Sequence, residues 1–159
     1  MLRNIIDKIL ERFLAVLMAL MVLNVLWQVF SRYILKDPSS FTDELANFML
    51  IWVGLLGASY ATGKHMHLAI DLLPSRLQGL SKKRLEIFIN AIVICFAVTV
   101  MVYGGGNLVF MTLYLEQTSP ALQIQLGYIY SVLPLSGILI VFYSVLNTID
   151  LMKPDKVTS

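Results

Sequence analysis

The chain has 159 residues and a mass of 17.9 kDa; 58% of its residues are hydrophobic, only 14% are charged, and the mean hydropathy is +0.77. Soluble domains contain about 45–50% apolar and about 25% charged residues, so this chain has too little polar surface for water and is predicted to be a membrane protein. The formal net charge of +2 and the absence of a basic run argue against nucleic-acid binding. The single cysteine, Cys95, excludes an intrachain disulfide and a cysteine-rich metal site.

Four apolar stretches are long enough to cross a hydrocarbon core of about 30 Å, for which a helix needs about 20 residues. The predicted transmembrane helices cover about residues 13–33, 45–62, 86–115 and 128–150. The third helix is expected to run through three consecutive glycines, with a weak point there. Because too few residues remain for a soluble domain, the predicted fold class is an all-α membrane protein, a single four-helix transmembrane bundle over residues 1–159.

Basic residues are distributed unevenly among the segments that connect these helices. Ten of the 12 Lys and Arg residues lie before the first helix, in the second loop or after the fourth helix. By the positive-inside rule, both termini are predicted to be cytoplasmic. Residues 2–12 and 74–85 combine apolar positions at helical spacing with basic residues, which predicts short interfacial amphipathic helices on the cytoplasmic leaflet. A solvated linker is the alternative for each segment.

The sequence offers no pattern typical of catalysis, haem binding or metal binding. Its acidic residues all fall at predicted helix ends or in loops, whereas an ion-coupled carrier usually keeps an ionisable residue at membrane depth. Both histidines, His65 and His67, lie in the second loop, where they supply neither haem ligands within the helices nor a full set of zinc ligands. We therefore predict that the chain is not an enzyme, holds no cofactor and is not a self-sufficient ion-coupled antiporter.

Polar residues are grouped where the first two helices meet. Asn24, Gln28 and Arg32 stand four residues apart and form one polar stripe on the first helix. Such a stripe is suited to hydrogen bonds between helices, and the alternative is a substrate path. Asp43 and Glu44 begin the second helix, where negative charge is favourable at the helix N-terminus. Helix capping and an ion pair from Glu44 to Arg32 both remain open for them.

Small residues recur along the second helix. Gly54 with Ala58, and Gly57 with Ala61, form two pairs of small residues at a separation of four. This spacing lets the backbones of two membrane helices approach closely. The pattern indicates tight packing and does not identify the partner.

Residues 28–73 carry a series of elements whose order and spacing are specific when taken together. In order, these elements are Arg32 with Tyr33, the acidic pair Asp43-Glu44, Trp52, the stretch of Gly54 and Gly57-Ala58, and His67 four residues before Asp71. The run resembles the DctQ-like small membrane subunit of TRAP transporters, the tripartite ATP-independent periplasmic carriers. Phe41 is a departure, because many relatives carry tryptophan at that position.

The resemblance implies a subunit that has no transport site of its own. In this family a large multi-helix membrane subunit binds substrate and sodium and moves as an elevator, while a periplasmic binding protein delivers an organic acid such as a C4-dicarboxylate or a sialic acid. The small subunit packs against the stationary part of the large one in the bacterial inner membrane, so sodium is expected on the partner. The rival hypotheses are a self-associating four-helix carrier or channel and an assembly factor for another membrane complex.

The resemblance also implies roles for the motif residues. Arg32 and Glu44 would brace the first hairpin at the periplasmic side, and Trp52 with the Gly54 face would pack within the membrane. The histidine and aspartate of residues 67–71 would fix the cytoplasmic turn, since residues four apart share one face of a helix.

Overall fold

The computed structural model describes residues 2–37, 39–64 and 80–152, which are almost entirely helical. Four of its helical runs are long and apolar enough to cross a membrane, so the prediction of an all-α protein with four transmembrane helices is confirmed. The helices are α1 (Leu2–Phe30) with a π-helical end (Ser31–Leu35), α2 (Ser40–Gly63), α3 (Leu80–Phe96) with a π-helical continuation (Ala97–Gly104), α4 (Gly105–Tyr114), α5 (Leu126–Tyr130) and α6 (Val132–Met152). The four spans are Arg3–Leu35, Ser40–Gly63, Lys83–Tyr114 and Leu126–Leu151.

The first span is longer than predicted because α1 begins at Leu2 and continues without a break into the apolar stretch. With 29 residues at about 1.5 Å each, α1 exceeds the hydrocarbon thickness of about 30 Å. Leu10 and Leu14 are buried in a cluster with Leu56 and Val132, so α1 packs against α2 and α6 from its early turns onward. Residues 2–12, predicted as an interfacial amphipathic helix, form the first turns of the continuous helix α1. Of the predicted interfacial segment 74–85, residues 80–85 form the start of α3 and the others lie outside the described residues.

α6 lies between α2 on one side and the third span on the other, and α1 packs mainly on α2. A second buried cluster joins Ala97 and Met101 of the third span to Ile140 of α6. In the most apolar stretch of the fourth span 39% of residues are buried, against 6% in the first span. The fourth span is therefore the centre of the protein, and the first span presents most of its surface outward.

The third span passes through its three glycines without a break. Its irregular winding lies in the π-helical segment Ala97–Gly104, which ends at the first of the three glycines. The fourth span is interrupted at Ser131, between α5 and α6. Pro134 explains this interruption, because it has no N–H to donate and its ring clashes with the carbonyl four residues earlier.

The two ends of the helices carry different groups and are named here after one residue of each. The Asp7 end contains the start of α1, the end of α2 and the end of α6, and the Glu44 end contains the start of α2 and the loop of residues 115–125. Six of the exposed aromatic side chains lie towards the Glu44 end, where aromatic residues are typical of a membrane–water boundary. These residues are Trp27, Phe30, Tyr33, Phe41, Tyr114 and Tyr128.

Candidate subunit-interaction site

Glu44, in the first turns of α2, holds the loop that connects the third and fourth spans. Its Oε1 accepts a hydrogen bond from the Ala121 N–H at 3.0 Å, and its Oε2 accepts one from the Leu122 N–H at 2.9 Å. The loop is itself folded back, because the Gln123 N–H donates to the Ser119 carbonyl at 3.0 Å. A single carboxylate thus satisfies two backbone donors far away in sequence and fixes this loop to α2.

Two further side chains of α2 donate hydrogen bonds to the backbone of the fourth span. The Trp52 indole N–H donates to the Ile129 carbonyl at 3.1 Å, close to the interruption between α5 and α6. The Ser59 hydroxyl donates to the Ser136 carbonyl at 3.1 Å. Together with Glu44, these residues follow one another at separations close to two helical turns, so they share one face of α2. Hydrogen bonds between side chain and backbone therefore join this face of α2 to the fourth span at two levels and to the preceding loop at a third.

The polar stripe of α1 contacts the start of α2. The Asn24 amide donates to the Thr42 carbonyl at 2.8 Å, and the Gln28 amide donates to the Asp43 carboxylate. Arg32 lies 3.8 Å from the same carboxylate, and both side chains are more than half exposed. The prediction of an ion pair from Arg32 to Glu44 is therefore wrong. Arg32 pairs with the acidic residue next to it in sequence, because Glu44 points to the loop and Asp43 points to α1.

The start of α2 has no side-chain cap from its N-cap residue. Ser39 occupies the N-cap position, and its side chain makes no capping hydrogen bond. The Thr42 hydroxyl instead donates back to the Ser39 carbonyl at 2.8 Å. Tyr33, the neighbour of Arg32 in the motif, is 73% exposed and belongs to the aromatic boundary described above.

The small residues of the motif face outward. A Cβ built on Gly54 or Gly57 meets no atom of the described residues within 4 Å, and Ala58 is exposed. Close approach inside the chain occurs at other glycines: a Cβ on Gly63 would lie 2.7 Å from the ring of Tyr143. The small-residue face of α2 therefore does not pack within this chain.

A buried carboxylate lies at the Asp7 end and was not predicted from the sequence. The Tyr143 hydroxyl donates to Asp7 Oδ1 at 2.6 Å, and Lys64 Nζ lies 3.5 Å from Oδ2. Asp7 is 8% exposed and Tyr143 is fully buried. The signal was present in the helical spacing, because Asp7 precedes the buried Leu10 by three residues and so shares its face.

Three other contacts lie at the same end. Arg3 donates to the Gly63 carbonyl at the end of α2 and lies 3.4 Å from the Asp150 carboxylate of α6. The Asn147 amide donates to the Thr62 carbonyl at 3.0 Å. The Asp7 end therefore ties α1, α2 and α6 together. His67 and Asp71 lie outside the described residues, so their predicted contact is not addressed by the structure.

These contacts define a class of protein. In the parts of the chain that the structure describes, no three His, Cys, Asp or Glu residues group together as metal ligands would. Charged pairs lie at the two ends, and the polar side chains named above serve contacts within the chain. The fold is that of a multi-pass membrane protein whose remaining features are outward faces suited to lipid or to other membrane chains.

Comparisons with known proteins identify the family. The model of the family described as tripartite ATP-independent periplasmic transporters, DctQ component, matches residues 9–153. The sialic acid TRAP transporter small permease protein SiaQ of Vibrio cholerae is 29% identical over 157 residues, covering 96% of this chain and 87% of the relative. The C4-dicarboxylate small permease DctQ of the same organism is 30% identical over 104 residues, covering 63% and 42%.

A third relative is a longer protein. The isethionate TRAP transporter permease protein DctMQ of Oleidesulfovibrio alaskensis is 33% identical over 99 residues, which is 60% of this chain but only 15% of that protein. With the family model matching most of its length, the chain belongs to the DctQ family of TRAP transporter small permeases. It is therefore a transport component rather than an enzyme, and a multi-pass protein of the bacterial inner membrane.

Proposed function

We propose that this chain is the scaffold subunit of a sodium-coupled TRAP transporter that imports an organic acid. It packs against the stationary part of a large, elevator-type membrane subunit, which holds the substrate and sodium sites, and a periplasmic binding protein delivers the substrate. One observation carries the proposal. The charged pairs of the described residues lie at the helix ends, and the interior of the spans contains hydroxyl and amide groups without an ionisable group that could drive transport.

The proposed orientation places the Asp7 end, with both termini, in the cytoplasm. Most Lys and Arg residues of the chain belong to that end, which is the side favoured by the positive-inside rule. The Glu44 end then faces the periplasm. The loop that Glu44 fixes is on the side where the binding protein would approach.

The proposed substrate is a C4-dicarboxylate or a sialic acid. The named substrates of the small-permease relatives are a sialic acid and a C4-dicarboxylate, and both are organic acids. The small subunit does not select between them in this proposal, because selection belongs to the large subunit and the binding protein. No cofactor is assigned to this chain, and sodium is assigned to the large subunit.

Attachment to a large permease is tested by co-purification followed by native mass measurement. The chain, carrying an affinity tag, is expressed together with its large permease and extracted in mild detergent. We expect a stable complex that contains both proteins. A stable homodimer or homotetramer that excludes the permease would overturn the proposal and favour the self-associating carrier or channel.

A further inference from the structure

The outward surface of the third span carries a line of polar side chains. Thr99, Tyr103 and Asn107 stand four residues apart, and all three are exposed. Tyr103 is the most prominent, with 79% of its surface exposed. We call these three residues the polar line of the third span.

The polar line lies at hydrocarbon depth. Met101 contacts Gly137, which is close to the midpoint of the fourth span, Leu126–Leu151. Tyr103 follows Met101 by two residues in the third span. Tyr114 ends that span, and at the rise of an α-helix it lies about 16 Å beyond Tyr103. Because half of a hydrocarbon core is about 15 Å thick, the Tyr103 hydroxyl remains inside it.

The polar groups of this line have little to bind within the chain. Among the described residues, neither the Tyr103 hydroxyl nor the Asn107 amide makes a hydrogen bond, and the Thr99 hydroxyl donates only to the Cys95 carbonyl of its own helix, at 2.7 Å. Lipid tails offer no hydrogen-bonding group, so a phenol or amide that faces them stays unsatisfied. The outward residues of α1 differ, because Val16, Leu23 and Leu26 are exposed and apolar and suit lipid.

We propose that the polar line of the third span is the docking surface for a membrane helix of the large permease subunit. That helix would present hydrogen-bonding groups at the depth of Tyr103 and Asn107, because complementary polar groups satisfy each other in hydrocarbon. The inference rests on the proposed function and adds the face through which the two subunits meet. The isethionate permease relative supports a partner in the same bilayer, since its segment similar to this chain is joined to a much longer polypeptide.

Photo-crosslinking in cells tests this face directly. Position 103 is replaced with p-benzoylphenylalanine in the chain co-expressed with its large permease, and position 23, exposed on α1, is replaced in the matched control. We expect a cross-linked product at position 103 whose peptides are those of the permease, and none at position 23. Cross-links from position 103 to a second copy of this chain, or to lipid alone, would overturn the inference.

A variant that removes the polar groups and keeps their size gives a second readout. The triple variant Thr99→Val, Tyr103→Phe, Asn107→Leu should lower the yield of complex with the permease by about tenfold, through lost interhelical hydrogen bonds. Its thermal unfolding as an isolated chain should not change, because no contact between helices of this chain is removed. Tyr128→Phe, at an exposed tyrosine of α5, is the matched control and should leave the yield unchanged.

The two proposals fail in different ways. If the wild-type chain does not co-elute with the permease, the proposed function is wrong and this inference falls with it. If the wild-type chain and the triple variant co-elute with the permease equally well, the docking surface is wrong and the proposed function stands.

Discussion

The two ends of the protein use carboxylates in opposite ways. At the Asp7 end one buried carboxylate meets a buried tyrosine hydroxyl and a lysine, and it joins three helices. At the Glu44 end the pair of Arg32 and Asp43 is exposed, while Glu44 binds backbone N–H groups of a loop. A buried charge that loses its partner is costly, whereas an exposed ion pair contributes little. The comparison therefore predicts that the Asp7 end determines global stability and the Glu44 end determines local loop structure.

The largest effect is expected for Asp7→Ala. The substitution leaves the buried Tyr143 hydroxyl and Lys64 without their acceptor, which should lower the free energy of unfolding by about 3 kcal/mol. Thermal unfolding in detergent, followed by tryptophan fluorescence, measures the change. Lys8→Ala, at the exposed neighbouring position, is the control and should have almost no effect. Equal effects of the two substitutions would contradict the importance assigned to the buried carboxylate.

The glycines of α2 provide a second, smaller test. Gly63→Ala places a Cβ 2.7 Å from the Tyr143 ring, and the overpacking should cost about 1–3 kcal/mol. Gly54→Ala and Gly57→Ala meet no atom within 4 Å among the described residues, and each should be neutral or stabilise the isolated chain by up to about 1 kcal/mol. The same unfolding assay applies. A loss of stability at Gly54 as large as that at Gly63 would contradict the outward placement of the small-residue face.

At the Glu44 end, Glu44→Gln should loosen the loop without unfolding the protein. The neutral amide side chain offers only one acceptor oxygen, whereas the carboxylate accepts from two backbone N–H groups. Hydrogen exchange of the Ala121 and Leu122 amides should accelerate by about tenfold or more, since charge-assisted hydrogen bonds are the stronger kind. Glu116→Gln, at an exposed position of the same loop, is the control. Unchanged exchange in the Glu44 variant would show that the loop is held by other contacts.

The smallest effect is expected for Arg32→Ala. The ion pair with Asp43 is exposed and long, so its loss should cost less than about 1 kcal/mol and should vanish at high salt. A double-mutant cycle with Asp43→Asn isolates the coupling between the two side chains. A coupling that matches the loss at Asp7 would remove the difference between the two ends.

The sequence predicted an all-α protein with four membrane-length helices because a run of apolar residues is a local signal. It did not distinguish the partners of Asp43 and Glu44. Adjacent residues on a helix point in directions about 100° apart, and the loop that receives Glu44 is far away in sequence. The outward position of Gly54 and Gly57 could not be predicted from the sequence either. Small-residue spacing permits close packing but does not identify the helix that supplies the contact.

Asp7 illustrates a signal that could have been used. The pattern of residues 2–12 predicts an amphipathic interfacial helix, in which an acidic residue is expected on the polar face. The spacing of Asp7 from Leu10 and Leu14 places it on the apolar face instead, and an acidic residue on such a face predicts a buried partner. The identity of Tyr143 as that partner depends on the packing of α6 and could not be derived from local pattern.

The account's central claim is that this chain supports transport without performing it. The most direct test is uptake of labelled sialic acid or C4-dicarboxylate into liposomes under a sodium gradient. One set of liposomes contains this chain alone, and the other contains this chain together with the large permease and the binding protein. We expect uptake by the complete set and none above protein-free liposomes for the chain alone. Sodium-dependent uptake by the chain alone would contradict the account.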